Sequence, residues 1–212
     1  MFTGIVQGTG QITAIEDRPG LRTLEVSVAS GLLEGLTIGA SVALDGVCLT
    51  VTRFTPSAIY FDVMQQTVGT TTLGGWHAGQ RVNVERSARY GDEVGGHVVS
   101  GHIDATAEIV ALNTPQNNRE IDYRIDPSLL PCILPKGFIA LNGCSLTVAE
   151  VDRQASTFRV CLIPETLRVT THGDKQVGDR VNLELDRQTQ AIVNTVRAFL
   201  QEHGAQWPES LS

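Results

Sequence analysis

Cys48 lies two residues beyond an Asp45-Gly46 turn, sharing a strand face with Thr50 and opposite to Leu49. Ser145 and Thr147 repeat that polar pair after Asn142-Gly143. A thiol or hydroxyl on such a face can add to an electrophilic carbon once a neighbour activates it. Without an activating neighbour, Cys48 is simply a small buried hydrophobe. The run Gly91-Asp-Glu-Val-Gly-Gly-His-Val-Val-Ser-Gly-His102 supplies two imidazoles. Five residues apart, His97 and His102 fall on opposite faces of a strand, which argues against a shared metal. Either can act as a general base near neutral pH. The competing role for His97 is that of a solvated histidine in a linker between domains. The glycines of this run match neither a Walker nor a dinucleotide pattern. Asp62 and Asp186 each end a strand, and Asp186 is also placed to cap a helix. Lys136, before Gly137, has the ordinary reading of a solvated lysine. Cys48, Cys132, Cys144 and Cys161 show no CxxC or CxxH spacing, which argues against zinc and for free thiols in a reducing cytoplasm.

These side chains are positioned by an internal duplication. Val42-Ala-Leu-Asp-Gly-Val-Cys-Leu-Thr-Val51 returns as Ile139-Ala-Leu-Asn-Gly-Cys-Ser-Leu-Thr-Val148, 97 residues later, with six of ten positions identical. At the same offset Gly4 to Ile15 aligns with Gly101 to Leu112. At offset 99, Met64-Gln-Gln-Thr67 faces Ile163-Pro-Glu-Thr166, and Gly79 to Glu85 faces Gly178 to Glu184. The chain therefore divides into copies at 1–97 and 98–186 and a tail at 187–212. Two copies are too few for a propeller or solenoid. Positions that differ between the copies are candidates for asymmetric chemistry: Cys48 against Ser145, Ser41 against Phe138, His102 against Ile5, Lys136 against Gly39.

Asp45-Gly46 and Asn142-Gly143 are hairpin signals, and short apolar runs recur about every ten residues between Gly or Pro. The pattern predicts all-β Greek-key barrels. One short helix per copy is expected, capped at Ser30 and at Asp126. In the tail, Ile192, Val193, Val196, Phe199 and Leu200 form a 3.6-period stripe after Asp186, ending near Gly204 and Pro208. That stripe can pack on its own barrel or on another subunit.

With 42% apolar and 18% charged residues in 212, the chain can bury its own cores and is not disordered. A net charge of −7 has the wrong sign for nucleic acid or acidic lipid. Met1 to Gly8 lack a basic start and an apolar run, so no export signal is expected. No apolar run approaches a membrane span.

Met1-Phe-Thr-Gly-Ile-Val6, Asp45 to Val51, Gly95 to His102, Gly143 to Val148 and Leu162-Ile-Pro-Glu-Thr166 together resemble riboflavin synthases of the two-barrel type, over residues 1 to about 203. The resemblance implies two tandem six-stranded barrels and a C-terminal helix that assembles a homotrimer. It implies dismutation of two 6,7-dimethyl-8-ribityllumazine molecules to riboflavin and 5-amino-6-ribitylaminouracil, the last step of riboflavin biosynthesis. No metal or redox cofactor is implied, and lumazine synthase is a candidate protein partner whose association the sequence leaves open. Each barrel would hold one lumazine, with the working site shared between neighbouring subunits. Carried over, the first pocket takes Gly4, Ile5 and Val6; Cys48, Leu49 and Thr50; Asp62, Val63, Met64, Gln65, Gln66 and Thr67; and Gly101, His102 and Ile103. The second takes Lys136; Ser145, Leu146 and Thr147; and Leu162, Ile163, Pro164, Glu165, Thr166 and Leu167. Ser41, Cys48, His102 and Asp186 fall at reactive or orienting positions. Asp45, Asn142 and Gln66 depart from the residues usual there, a difference expected to bear on ligand contacts. The alternative is a non-catalytic lumazine or flavin antenna protein on the same double barrel, which is expected to lack Cys48 or the Gly-His before the second copy.

Overall fold

The computed structural model describes residues 1–116 and 118–204. Its strands close into two antiparallel barrels. The first comprises β1 (Gly8–Arg18), β2 (Leu21–Ser27), β3 (Ser41–Leu44), β4 (Val47–Phe54), β5 (Ala58–Met64) and β6 (Arg81–Arg86), in the order β1-β2-β5-β4-β3-β6. The second repeats that order with β7 (Ala105–Asn113), β8 (Arg119–Arg124), β9 (Phe138–Leu141), β10 (Cys144–Asp152), β11 (Thr157–Leu162) and β12 (Arg180–Leu185). The change of offset from 97 to 99 now has a place. Phe54 and Ala58 bracket the β4–β5 turn, whereas the matched Val151 and Thr157 bracket a turn two residues longer.

Alternation along each strand sends Val42, Leu44, Val47, Leu49 and Val51 inward, and Ile139, Leu141, Leu146 and Val148 likewise. Both interiors are filled with such side chains, as small barrels require.

The expected short helix at Asp126 forms as a 3-10 turn, Pro127–Cys132, with the Ser128 amide donating to Asp126 Oδ1 at 2.9 Å. At Ser30 the expectation fails. Ser30 is the first residue of the turn Ser30–Leu32, and Ala29 before it offers no side-chain cap. Two further helices, α1 (Gln65–Thr70) and α2 (Pro164–Val169), are too short to leave a periodic signature. α3 (Arg187–Glu202) starts at Asp186, whose Oδ1 accepts from the Thr189 amide at 2.8 Å. Val193 joins the second barrel's core, while Ile192, Val196 and Phe199 stay exposed. Pro208 lies outside the described residues.

The barrels meet at their matched hairpin turns. Asp45-Gly46 (φ +42, +82) and Asn142-Gly143 (φ +44, +77) have the left-handed pair a two-residue hairpin requires. A Cβ on Gly46 would come within 2.6 Å of the Gly143 nitrogen, so neither turn tolerates a side chain there. The Asn83 amide donates to Asp45 Oδ1, and the Asn182 amide to Asn142 Oδ1, both at 2.7 Å. The side chains then cross: Asn83 Nδ2 donates to the Asn142 carbonyl, and Asn182 Nδ2 to the Asp45 carbonyl, both at 2.9 Å. Asp45 and Asn142 thus serve this seam, and the expected bearing of their side chains on ligand contacts is corrected.

The seam is symmetric in shape and asymmetric in charge. Burial pushes the Asp45 carboxyl up to about 7, against the opposing influence of the Asn83 amide and Lys175. A folded-state pKa above the unfolded one gives stability that is complete below about pH 4 and is lost as pH rises toward 7. Over the two pH units from 5 to 7 this amounts to about 3 kcal/mol, at 1.36 kcal/mol per unit. Asp45→Asn, which copies the matched Asn142, is expected to abolish that loss and stabilise the protein at pH 8. Denaturant titrations of both chains at pH 5 and pH 8 check it, and an equal pH dependence in the two would refute it.

Candidate functional site

Two stretches of chain leave their own copy and press on the other. Phe2 and Val99 form an antiparallel bridge, with amide-to-carbonyl distances of 2.7 and 3.0 Å. Beyond that bridge, the Gly4 carbonyl accepts from the Ser145 amide at 2.8 Å, and the Gly101 carbonyl from the Cys48 amide at 2.9 Å. Both glycines have positive φ, +73 and +83. A Cβ on Gly4 would stand 2.6 Å from Ser145 Cβ, and one on Gly101 would stand 2.5 Å from Cys48 Cβ. Gly96 is needed for a third close approach, since its Cβ would lie 2.3 Å from the Thr3 carbonyl. Val6 is part of the second core, and Ile103 packs against the first. Gly4, Ile5 and Val6 therefore line the second site, not the first as the sequence suggested. The reason is the exchange itself, which sequence alignment of the copies cannot show.

At the first candidate site the residues singled out by the sequence lie on the outer wall of the barrel. Cys48 and Thr50 point away from the core, whereas Leu49 points into it. Ser41 lies opposite Thr50 on β3, and Ala43 opposite Cys48, which places Ser41, Cys48 and Thr50 on one face. On β5, Asp62 and Met64 are exposed and Val63 is inward. Asp62 Oδ1 accepts from the Thr23 hydroxyl at 2.7 Å. Gln65, Gln66 and Thr67 open α1 at the end of that strand. The His102 ring is exposed, while its backbone is fixed: its amide donates to Ser100 Oγ at 3.2 Å and its carbonyl accepts from Arg187 Nη2 at 2.6 Å.

The second site has the same wall and different chemistry. Ser145 and Thr147 face outward beside Phe138, and Leu146 faces inward. His97, which sequence left between a base and a solvated linker residue, is buried here. Its Nδ1 lies 2.6 Å from Ser145 Oγ, and its ring stacks on Phe138 with centroids 5.1 Å apart. Burial lowers the His97 pKa, although Asp186 and Glu184 act to raise it, so the ring is neutral at neutral pH. At Asp186 burial acts to raise the pKa, yet the Thr189 hydroxyl and amide and the nearby His97 together hold the carboxyl below its ordinary value. Asp186 is thus a helix cap on the His97 side.

Lys136 takes a left-handed backbone (φ +66), its amide donating to the Val148 carbonyl at 2.8 Å. Leu162 is buried in the core, and Leu167 packs partly against it. Ile163 is exposed, and Pro164, Glu165 and Thr166 form the first turn of α2. Glu165 pairs with Arg168 at 2.6 Å. A cleft of about 770 Å³ elsewhere, between Gln7, Ala29, Leu32 and Arg86, contains none of these residues.

The 2.6 Å between the Ser145 hydroxyl and His97 Nδ1 is within the reach that a hydroxyl and its activating base require. On the other wall the Cys48 thiol is half-buried, and the Gly101 carbonyl that meets its amide immediately precedes the exposed His102.

The lumazine binding domain model matches the chain twice, at residues 3–87 and 100–186. A riboflavin synthase of Escherichia coli (strain K12) is 50% identical over 201 residues, 94% of this chain and 93% of the relative. One from Chlamydia pneumoniae is 42% identical, covering 96% of this chain and 99% of its own. Among solved structures, LumP complexed with riboflavin superposes with a TM-score of 0.81 at 27% identity, over 88% of this chain and all of that one.

Proposed function

The chain belongs to the riboflavin synthase family, and from that membership we propose how its two walls divide the dismutation of 6,7-dimethyl-8-ribityllumazine into riboflavin and 5-amino-6-ribitylaminouracil. One lumazine must gain a nucleophile at C7, and the other must lose a proton from its acidic C7 methyl group. The second wall suits the nucleophilic addition, in which Ser145 Oγ, or a water held there, attacks C7 as His97 takes the proton. The first wall suits the deprotonation. There His102 removes the methyl proton, and Cys48 and Ser41 orient the ring. Thr50, Thr147 and the openings of α1 and α2 bind the rings and ribityl chains.

The observation that carries this reading is the matched pair Cys48 and Ser145, each pinned by a glycine carbonyl from the opposite arm, with His97 against the Ser145 hydroxyl and no such bond on the Cys48 thiol among the described residues. Stacking two rings face to face can itself supply about 7–11 kcal/mol by making the encounter unimolecular. Three copies would meet through the exposed α3 stripe to bring unlike walls together. The reading extends to the reducing cytoplasm, where four free thiols persist, and to lumazine synthase as the enzyme handing over substrate.

Purified protein given the lumazine should form riboflavin, followed by its absorbance. Tight binding without product would favour the antenna reading instead. Cys48→Ser and His102→Gln are each expected to slow turnover about 10- to 100-fold while lumazine still binds. Unchanged rates in both would remove these residues from the chemistry.

A further inference from the structure

The last strand of each barrel carries a buried carboxylate outside the chemistry above. Glu85 Oε1 accepts from the Thr3 amide at 2.7 Å and the Thr3 hydroxyl at 2.8 Å. Glu184 Oε1 accepts from the Ser100 amide at 2.7 Å and hydroxyl at 2.6 Å, and its Oε2 from the Gly101 amide at 2.9 Å. Both carboxylates are almost fully buried. A buried carboxyl is costly to leave unpaired, so these bonds hold each arm; Glu184 is engaged at both oxygens, and Glu85 at Oε1, where burial raises its pKa against the Thr3 bonds.

Each carboxylate and the wall it serves belong to different barrels. Glu85, on β6 of the first barrel, grips Thr3, and the next residue, Gly4, presses on Ser145 of the second. Thr3 also accepts from the His97 amide through its carbonyl at 3.1 Å, so the same grip sets the histidine beside Ser145. Glu184, on β12 of the second barrel, grips Ser100 and Gly101, and Gly101 presses on Cys48 of the first. The hydroxyl of Ser100 in turn accepts from the His102 amide. We propose that Glu85 and Glu184 are crossed positioning residues: each holds the arm that seats the wall residue of the opposite barrel, Ser145 or Cys48, and the backbone of the histidine that arm carries or meets. This rests on the two-wall reading of the reaction.

The crossing supplies a readout that general destabilisation does not imitate. The Ser145 amide and the Cys48 amide are the donors that meet the two arms, and their hydrogen exchange reports whether each arm is seated. In Glu85→Gln, the Ser145 amide should exchange about tenfold faster while the Cys48 amide is unchanged. In Glu184→Gln, the Cys48 amide should speed up and the Ser145 amide should not. Both variants should lose turnover about 10- to 100-fold, since small misplacements of reacting groups are that costly. Thr3→Val and Ser100→Ala remove one hydroxyl bond from each grip and give the same crossed pattern more weakly, should either glutamine variant fail to fold. Equal acceleration of both amides, or acceleration on the carboxylate's own barrel, would overturn the proposal. So would crossed exchange with full turnover. If the unmodified protein makes no riboflavin, the two-wall reading falls. The positioning claim is then decided by lumazine fluorescence titration, which must show weaker binding in the crossed variants.

Discussion

A chain carrying Ile192→Glu, Val196→Glu and Phe199→Glu is expected to bind lumazine normally and to make almost no riboflavin. These three side chains are the exposed part of the α3 stripe, whereas Val193 belongs to the second core and is left untouched. Removing the whole helix would be a poorer test. Arg187 Nη1 donates to Asp104 Oδ1 at 3.0 Å and Nη2 to the His102 carbonyl, so truncation would also loosen the first site. Each wall faces outward, and a single chain offers each ring only one side of a sandwich. On the proposed assembly through α3, losing the neighbouring subunit removes the effective concentration that stacks two rings, and turnover should fall at least about 100-fold. Light scattering and riboflavin formation on one sample decide it. A monomer with near-full turnover would mean that both rings meet within one chain.

His97→Gln and Ser145→Ala are each expected to slow turnover by about 10² to 10⁴, the range for losing a positioned base or its nucleophile. Because the two act as a unit, the double variant should be scarcely worse than the slower single one. The pH profile gives the sign. Burial lowers the His97 pKa, so the base form persists below the pH at which an ordinary imidazole protonates. The acid limb of kcat should therefore lie below that of a free histidine and vanish in His97→Gln. Additive losses would show that Ser145 and His97 act separately.

The barrels were legible because duplication doubles every weak strand signal, and because Asp-Gly and Asn-Gly fix hairpins by backbone geometry alone. Leu49 and Leu146 fell on the inward face that period two assigns them. What escaped was long-range. His97 reads as a linker histidine until the chain folds back over Thr3, and only the close approach at Gly96 hints at that path. Asp186 kept its local role as a cap, since capping depends on three residues, but its nearness to His97 depends on the whole second barrel. The resemblance places Gly4 with the first pocket, whereas its contact is with Ser145 of the second, because motifs in chain order carry no record of which copy an arm touches.

Two like barrels trading N-terminal arms have the architecture of a swapped dimer, here joined into one chain through the stretch between β6 and β7. In a true homodimer every substitution appears on both sides of the axis. A fused pair escapes that constraint. One copy can keep a thiol where the other takes a hydroxyl, and Asp45 can stand across from Asn142, without either change being imposed on its twin. Covalent fusion is what allows a symmetric scaffold to treat two identical substrate molecules differently.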